Sequence, residues 1–277
     1  MQNNESPLKK YRREPKLYID LPSKGMYYPP GSITKAEEIE VYSMTAVDEI
    51  AVKTPDALFT GNAVARLIQR CIPEIKDPWS MPMMDLNHCL TAIRMATYGN
   101  KLSIKGSCPS CEASSEYEID LQNLVTHFGT ITFKDHINVN GFDFHLRPLT
   151  YREYTQLQKQ SFVFQRQIVQ QIPNIEDEET RSKELQNIYD QLADLRIMSI
   201  LQTVVRIEIN GEEETDLDEI VDFIENNDKE YFNKLTALSD KNREKWNVPP
   251  VDVACNDCNE EYKLSLDLDY SSFFDQP

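Results

Sequence analysis

The sequence predicts an α+β fold: two divergent repeats of a small sheet plus helices, tied by two pairs of cysteines, with a long helical hairpin in the second repeat. Three observations carry this. Short runs with apolar residues at every second position, such as Lys101-Leu-Ser-Ile-Lys and Glu116-Tyr-Glu-Ile-Asp-Leu121, read as half-buried strands and alternate with longer runs of helical period. Cys108-Pro-Ser-Cys111 and Cys255-Asn-Asp-Cys258 each sit between two such strands. The order strand, Thr-led helix, strand–CxxC–strand occurs twice.

Residues 1–16 carry five basic residues against two acidic ones, a net +3, and read as a disordered basic tail. Leu17 to Gly31 is broken by proline and glycine and reads as an extended arm, which Tyr18, Leu21, Met26 and Tyr27 would pack against the body. A strand follows with Ile39 and Val41 on one face. Thr45 ahead of Asp48 is a helix N-cap with an acidic first turn. From Asn62 to Ile72 the apolar residues Val64, Leu67, Ile68, Cys71 and Ile72 recur at helical spacing, which makes Cys71 a core residue. Cys89 reads the same way in a helix from about Asp85 to Tyr98, which Gly99 is placed to stop. Ile75 to Pro82 is a rigid connector between the two helices.

Beyond Leu121 the pattern restarts. Ile137 to Leu146 is a hairpin turning at Asn140-Gly141. Thr150 and Glu153 form a capping box. A helix to about Val169, a polar break at residues 173–179 and a helix over about Thr180 to Thr203 make the long hairpin. A strand at Arg206–Ile209, a second Asn-Gly turn, and helices opening at Asp216 and Asp228 lead to the second CxxC. Glu40 to Glu49 echoes His145 to Tyr154, Leu67 to Ile75 echoes Leu201 to Ile209, and Asp85 to Leu90 echoes Asp216 to Val221. The expected division is therefore a tail at 1–16, an N-terminal repeat at 17–128 and a C-terminal repeat at 129–277.

Two thiolates in CxxC spacing can reach one tetrahedral ion, and four make a common closed zinc set. Cys108, Cys111, Cys255 and Cys258 are accordingly the candidate ligands of a structural Zn2+, the repeats being joined as a zinc ribbon. Other readings stay open: a disulfide pair, a redox CxxC, which usually opens a helix, or an empty site.

The 277 residues carry a net charge of −17, so the body beyond the tail is −20, which opposes nucleic-acid and anionic-membrane binding. No transmembrane run, phosphate-binding glycine loop, G-x-S-x-G or H-E-x-x-H occurs, and no small-molecule substrate or enzymatic activity is expected. The four histidines are dispersed; His127 and His136 read as surface or turn residues. The acidic run from Glu212 to Glu230 holds ten carboxylates without an EF-hand glycine and reads as a solvated face.

Leu21-Pro-Ser-Lys-Gly-Met-Tyr-Tyr-Pro, Glu40-Val-Tyr-Ser-Met-Thr, Asp56-Ala-Leu-Phe, Asp77-Pro-Trp and Ala92-Ile-Arg-Met-Ala-Thr-Tyr-Gly99, with the Cys-Pro-x-Cys that follows, resemble the baseplate hub family of T-even-like tailed bacteriophages. The resemblance is densest over 17–121; beyond, the hairpin, the second CxxC and Phe273-Phe274 carry it. It implies a hub component or assembly factor that binds other phage baseplate or tail proteins, in the host cell cytoplasm during assembly or in the virion baseplate. The contrasting reading is a zinc-ribbon nucleic-acid-binding regulator using residues 1–16; a thiol oxidoreductase is a third. The long hairpin, about 30 Å from helices of ~20 residues, is the element expected to carry a partner contact. Its apolar residues beyond the seam are Phe162, Phe164, Val169, Ile197 and Ile200, with Phe162 and Phe164 as anchors.

Overall fold

The computed structural model describes residues 12–53, 60–265 and 273–274. Among these, helices and short strands mix in an α+β arrangement with one four-stranded and three two-stranded antiparallel sheets. By internal contacts the chain divides into two compact units. The first comprises Met1–Pro78, Asn87–Thr130 and Val248–Pro277; the second comprises Trp79–Leu86 and Ile131–Asn247. Compactness thus groups the second CxxC with the first. A repeat boundary at 128/129 is a different quantity, a statement about duplication.

In the first unit β1 (Leu17–Ile19) pairs with β2 (Ile39–Val41). α1 (Ala46–Val52) opens with a capping box between Thr45 and Asp48. Asp48 is almost fully buried, and Arg70 closes on its carboxylate. α2 (Asn62–Cys71) buries the predicted row of Val64, Leu67, Ile68 and Cys71. α3 (Met83–Tyr98) starts two residues earlier than expected and ends at Gly99, whose φ of +88° suits glycine and whose N–H reaches the Met95 carbonyl at 3.0 Å. Cys71 and Cys89 are both fully buried, as their spacing requires.

Three features depart from the expectations. Residues 12–16 are not all tail: the Arg13 guanidinium donates to the carbonyls of Ser43 and Arg70, and the Lys16 N–H donates to Val41 at 2.8 Å. The expected tail at 1–11 and the Asp56-Ala-Leu-Phe segment lie outside the described residues. In the arm, Leu21 is the buried anchor while Tyr18 and Met26 face outward. Gly25 sits at φ +77°, where a Cβ would lie 2.9 Å from the Ala36 Cβ. An additional helix, α4 (Leu121–Gly129), follows the first knuckle. The Asp120 carboxylate accepts the Gln122 N–H at 2.9 Å as its N-cap, and Leu121, Leu124 and Phe128 are buried. Near the C-terminus Phe273 and Phe274 are buried; Tyr98 donates to the Phe274 carbonyl at 3.3 Å, and the buried Arg94 guanidinium lies 5.2 Å from the Tyr98 ring and 5.4 Å from Phe273.

The second unit is built on β5 (His136–Val139), β6 (Phe142–Leu146), β7 (Val204–Ile209) and β8 (Glu212–Glu214), in that order. Both Asn-Gly turns form as predicted, with φ of +53° and +90° at Asn140-Gly141 and +54° and +85° at Asn210-Gly211. One sheet face sends Phe144, Leu146 and Ile207 into a core closed by Ile220 and Ile224 of α7 (Leu217–Asn226) and by Tyr231 and Leu235 of α8 (Lys229–Trp246). Between β6 and β7 the chain makes the predicted hairpin of α5 (Tyr151–Gln170) and α6 (Glu178–Leu201), with a 3-10 turn at Ile172–Asn174. The Thr150–Glu153 capping box is present, and Arg147 grips the Glu153 carboxylate with two bonds of 2.6 and 2.8 Å. Half-buried Leu157, Ser161, Phe164 and Ile168 form the row facing α6, where Leu185, Ile188, Leu192 and Leu195 answer. Phe164 is therefore a seam residue. Ile200 is buried in the core and Ile197 packs against it. Phe162 and Val169 face outward, 48% and 72% exposed.

Candidate metal centre

The first CxxC caps a hairpin of β3 (Lys101–Ser107) and β4 (Ser114–Asp120); the second caps a hairpin of β9 (Val251–Ala254) and β10 (Glu261–Leu264). Both lie in the first unit. The turns are built alike. The Cys108 N–H donates to the Ala113 carbonyl at 2.9 Å and the Glu112 N–H to the Cys108 carbonyl at 2.9 Å; the Cys255 N–H donates to Glu260 at 2.9 Å and the Asn259 N–H to Cys255 at 3.0 Å. Glu112 and Asn259, where ribbons often have glycine, take φ of +58° and +59°. The side chains thus adopt the left-handed conformation the turn demands, at a cost that a glycine would avoid.

All four sulfurs meet: one atom from each of Cys108, Cys111, Cys255 and Cys258 lies within 4.8 Å of every other. The Cys108–Cys258 and Cys111–Cys255 pairs are each 3.6 Å apart. A tetrahedron with metal–sulfur bonds of about 2.3 Å has edges of about 3.8 Å, so the spacing fits a four-thiolate site. No disulfide links them. Cys108 and Cys255 are buried while Cys111 and Cys258 are exposed. Backbone N–H groups of Ser110 and Asp257 each point at the preceding knuckle sulfur at 3.4 Å. At Cys255, N–H groups of Cys258 and Asp257 favour the thiolate and bring its pKa down to about 7, whereas at Cys258 the neighbouring sulfurs outweigh the Glu260 N–H and push the thiol up, and Cys111 is raised as well. Neither CxxC opens a helix, so the redox arrangement is not formed.

Contacts that the sequence did not announce hold the two hairpins in register. The Tyr262 hydroxyl donates to Tyr117 at 3.1 Å, the rings meeting edge to face at 6.2 Å. Leu264 crosses Gly106 so closely that a Cβ there would lie 2.7 Å from Leu264 Cδ1. The Glu-Tyr dipeptide common to both exit strands was the available signal. Among the described residues no histidine or carboxylate joins the sulfur set. His127 lies edge-on to Phe128 in α4, and His136 stacks beside His145 in the second unit at 6.4 Å. The acidic side chains of β8 and of the first turn of α7 are exposed. Arg13 is engaged with backbone carbonyls, and no described helix is long and apolar enough to cross a membrane.

A family described as T4 bacteriophage base plate protein matches residues 16–275. No curated protein and no solved structure matches the chain.

Proposed function

The chain belongs to the T4 bacteriophage base plate protein family, and we propose that within it the chain is a hub component or hub assembly factor that acts by binding other baseplate proteins and performs no catalysis. The family match over nearly the whole chain carries this reading. The acidic body and the absence of a catalytic motif support it, and its place would be the host cytoplasm during assembly and then the virion. The α5–α6 hairpin is the contact element best supported, because its outward apolar residues exceed what its own seam uses.

In this reading the cysteines hold a structural Zn2+ and the knuckles form a zinc ribbon. Zinc takes four thiolates readily, and the ion would cross-link segments 150 residues apart in sequence. The ribbon would join two divergent repeats. Supporting the duplication are the matched knuckle turns and the two capping boxes, Thr45–Asp48 and Thr150–Glu153, each with an arginine on its acid.

The test is affinity capture of the tagged chain from infected cells, followed by mass spectrometry. Baseplate proteins should co-purify, and random DNA should not shift at low salt. Capture of nucleic acid without baseplate proteins would overturn the reading.

A further inference from the structure

Each knuckle turns one sulfur inward and one outward. Cys108 and Cys255 are 2% and 1% exposed, while Cys111 and Cys258 face solvent. Contacts across the site are crossed. Exposed Cys258 lies 3.6 Å from buried Cys108 of the other hairpin, and exposed Cys111 lies 3.6 Å from buried Cys255. Every solvent-facing sulfur of the cluster therefore has a shielded sulfur of the opposite hairpin against it. The shielded sulfurs are held from their own side, by the Ser110 N–H at Cys108 and the Asp257 N–H at Cys255, each at 3.4 Å. The other two cysteines, Cys71 in α2 and Cys89 in α3, are fully buried.

Opposition of the two hairpins does not depend on an ion. The Tyr117–Tyr262 hydroxyl bond and the packing of Leu264 over Gly106 lie on the strands rather than in the knuckle turns. They keep the four sulfurs within 4.8 Å of one another whether or not a metal joins them. An oxidant of the peroxide class reacts first with the accessible thiolates. The Cys258 thiolate attacks a peroxide oxygen: an S–O bond forms, the O–O bond breaks, and the leaving hydroxide takes a proton to become water. The Cys108 thiolate then attacks the sulfenic sulfur: an S–S bond forms, the S–O bond breaks, and a second water leaves. Cys111 and Cys255 react in the same way. Altogether four thiolates, two peroxides and four protons give two disulfides and four waters, the sulfurs losing the electrons that the peroxide oxygens gain. A divalent ion keeps its charge, loses its thiolates and leaves hydrated.

We propose that the cysteine centre is an oxidation-responsive clasp: peroxide attacks at Cys111 and Cys258, and the product is the cross-hairpin disulfide pair Cys108–Cys258 and Cys111–Cys255. The β3–β4 and β9–β10 hairpins stay joined in both forms, by the ion where thiols are kept reduced and by two covalent bonds where they are not. A bond within either knuckle, Cys108–Cys111 or Cys255–Cys258, would leave the hairpins without that tie. The reduced form of the clasp rests on the four-thiolate zinc reading; the disulfide pairing stands on the sulfur geometry alone.

Titration of the purified full chain, loaded with zinc, with hydrogen peroxide tests it. A colorimetric chelator should register loss of the ion as about two equivalents of peroxide are consumed. After alkylation in denaturant, digestion with trypsin without reductant should leave fragment 106–134 joined to fragment 246–263, with Cys71 and Cys89 recovered as alkylated thiols. Cys111→Ser/Cys255→Ser and Cys108→Ser/Cys258→Ser each keep one opposed pair and should still join the fragments. Cys111→Ser/Cys258→Ser keeps only the two shielded sulfurs and should join them about tenfold more slowly, or less. Circular dichroism checks the fold of each variant, and the wild-type map decides the pairing if a variant is unfolded. Separate fragments, each bonded within its own CxxC, overturn the proposal, as do sulfinic acids in place of disulfides or an ion retained after oxidation. A chain that purifies without metal defeats the zinc reading instead, and the same map on that metal-free chain still decides the pairing, so the two failures are distinct.

Discussion

Glu153 shows how much one side chain can do at a helix start. Burial alone would raise its pKa, but the Arg147 guanidinium and the Thr150 groups outweigh that and hold the carboxyl below its usual range. A carboxylate with a lowered folded pKa stabilises the fold above its unfolded value and loses that contribution as pH falls through the folded value. Glu153→Gln should therefore cost about 1–3 kcal/mol at neutral pH, and the gap from wild type should close on acidification below pH ~4. Urea melts at both pH values check this; an unchanged gap would mean that packing, not charge, sets the effect. Asp48 is held down by the same balance, with burial opposed by Thr45 and Arg70. At Gly106 the constraint is steric. Gly106→Val would press on Leu264 and should cost about 1–3 kcal/mol, seen as a lower melting temperature with the β3–β4 and β9–β10 hairpins loosened.

At the scale of elements, zinc analysis of protein purified without chelator should find one ion per chain, and Cys108→Ser/Cys111→Ser should lose it. Metal retained by that variant would remove the shared site. What the sequence made legible here was local. Both Asn-Gly turns, the Thr45 N-cap, the Thr150–Glu153 capping box and the i, i+3, i+4 row of α2 depend on residues a few positions apart. The cysteine set was legible despite its 144-residue separation because the chemistry of CxxC implies its own partner. α4 was hidden because its nine residues hold only three buried apolar positions and continue straight from a strand. Arg13 and Phe274 were hidden because their partners, Ser43, Arg70 and Tyr98, are set by tertiary structure alone. Phe164 was read as a partner anchor because periodicity does not tell which of two apolar rows is the seam. The buried Phe274 ring gives a direct check: Phe274→Ala should cost about 3–5 kcal/mol, measured by denaturant melts.

For the molecule as a whole, the two compact units predict separable responses. Removing metal should act on the first unit, which contains all four sulfurs, and spare the core of Phe144, Ile207, Ile220 and Leu235 in the second. Hydrogen exchange with and without chelator reads this directly. Amides of β9 and β10 should lose protection while those of β6 and β7 keep theirs. Uniform loss across both would show that the ion stabilises the chain as a single cooperative body. The family membership makes the chain a phage baseplate-related protein, and affinity capture tests which proteins it binds.

The wide separation of the two knuckles also sets a clock. A ribosome adding roughly 5–20 residues per second needs about 7–30 s to cover the 144 positions from Cys111 to Cys255. During that interval the emerging chain holds two of the four clustered cysteines, and every residue of the second unit is synthesised before the first unit's last segment exists. The four thiols can therefore meet only once Cys258 has been made, after the whole of the second unit has emerged. Assembly of the cysteine cluster follows the synthesis of a unit to which none of its members belongs.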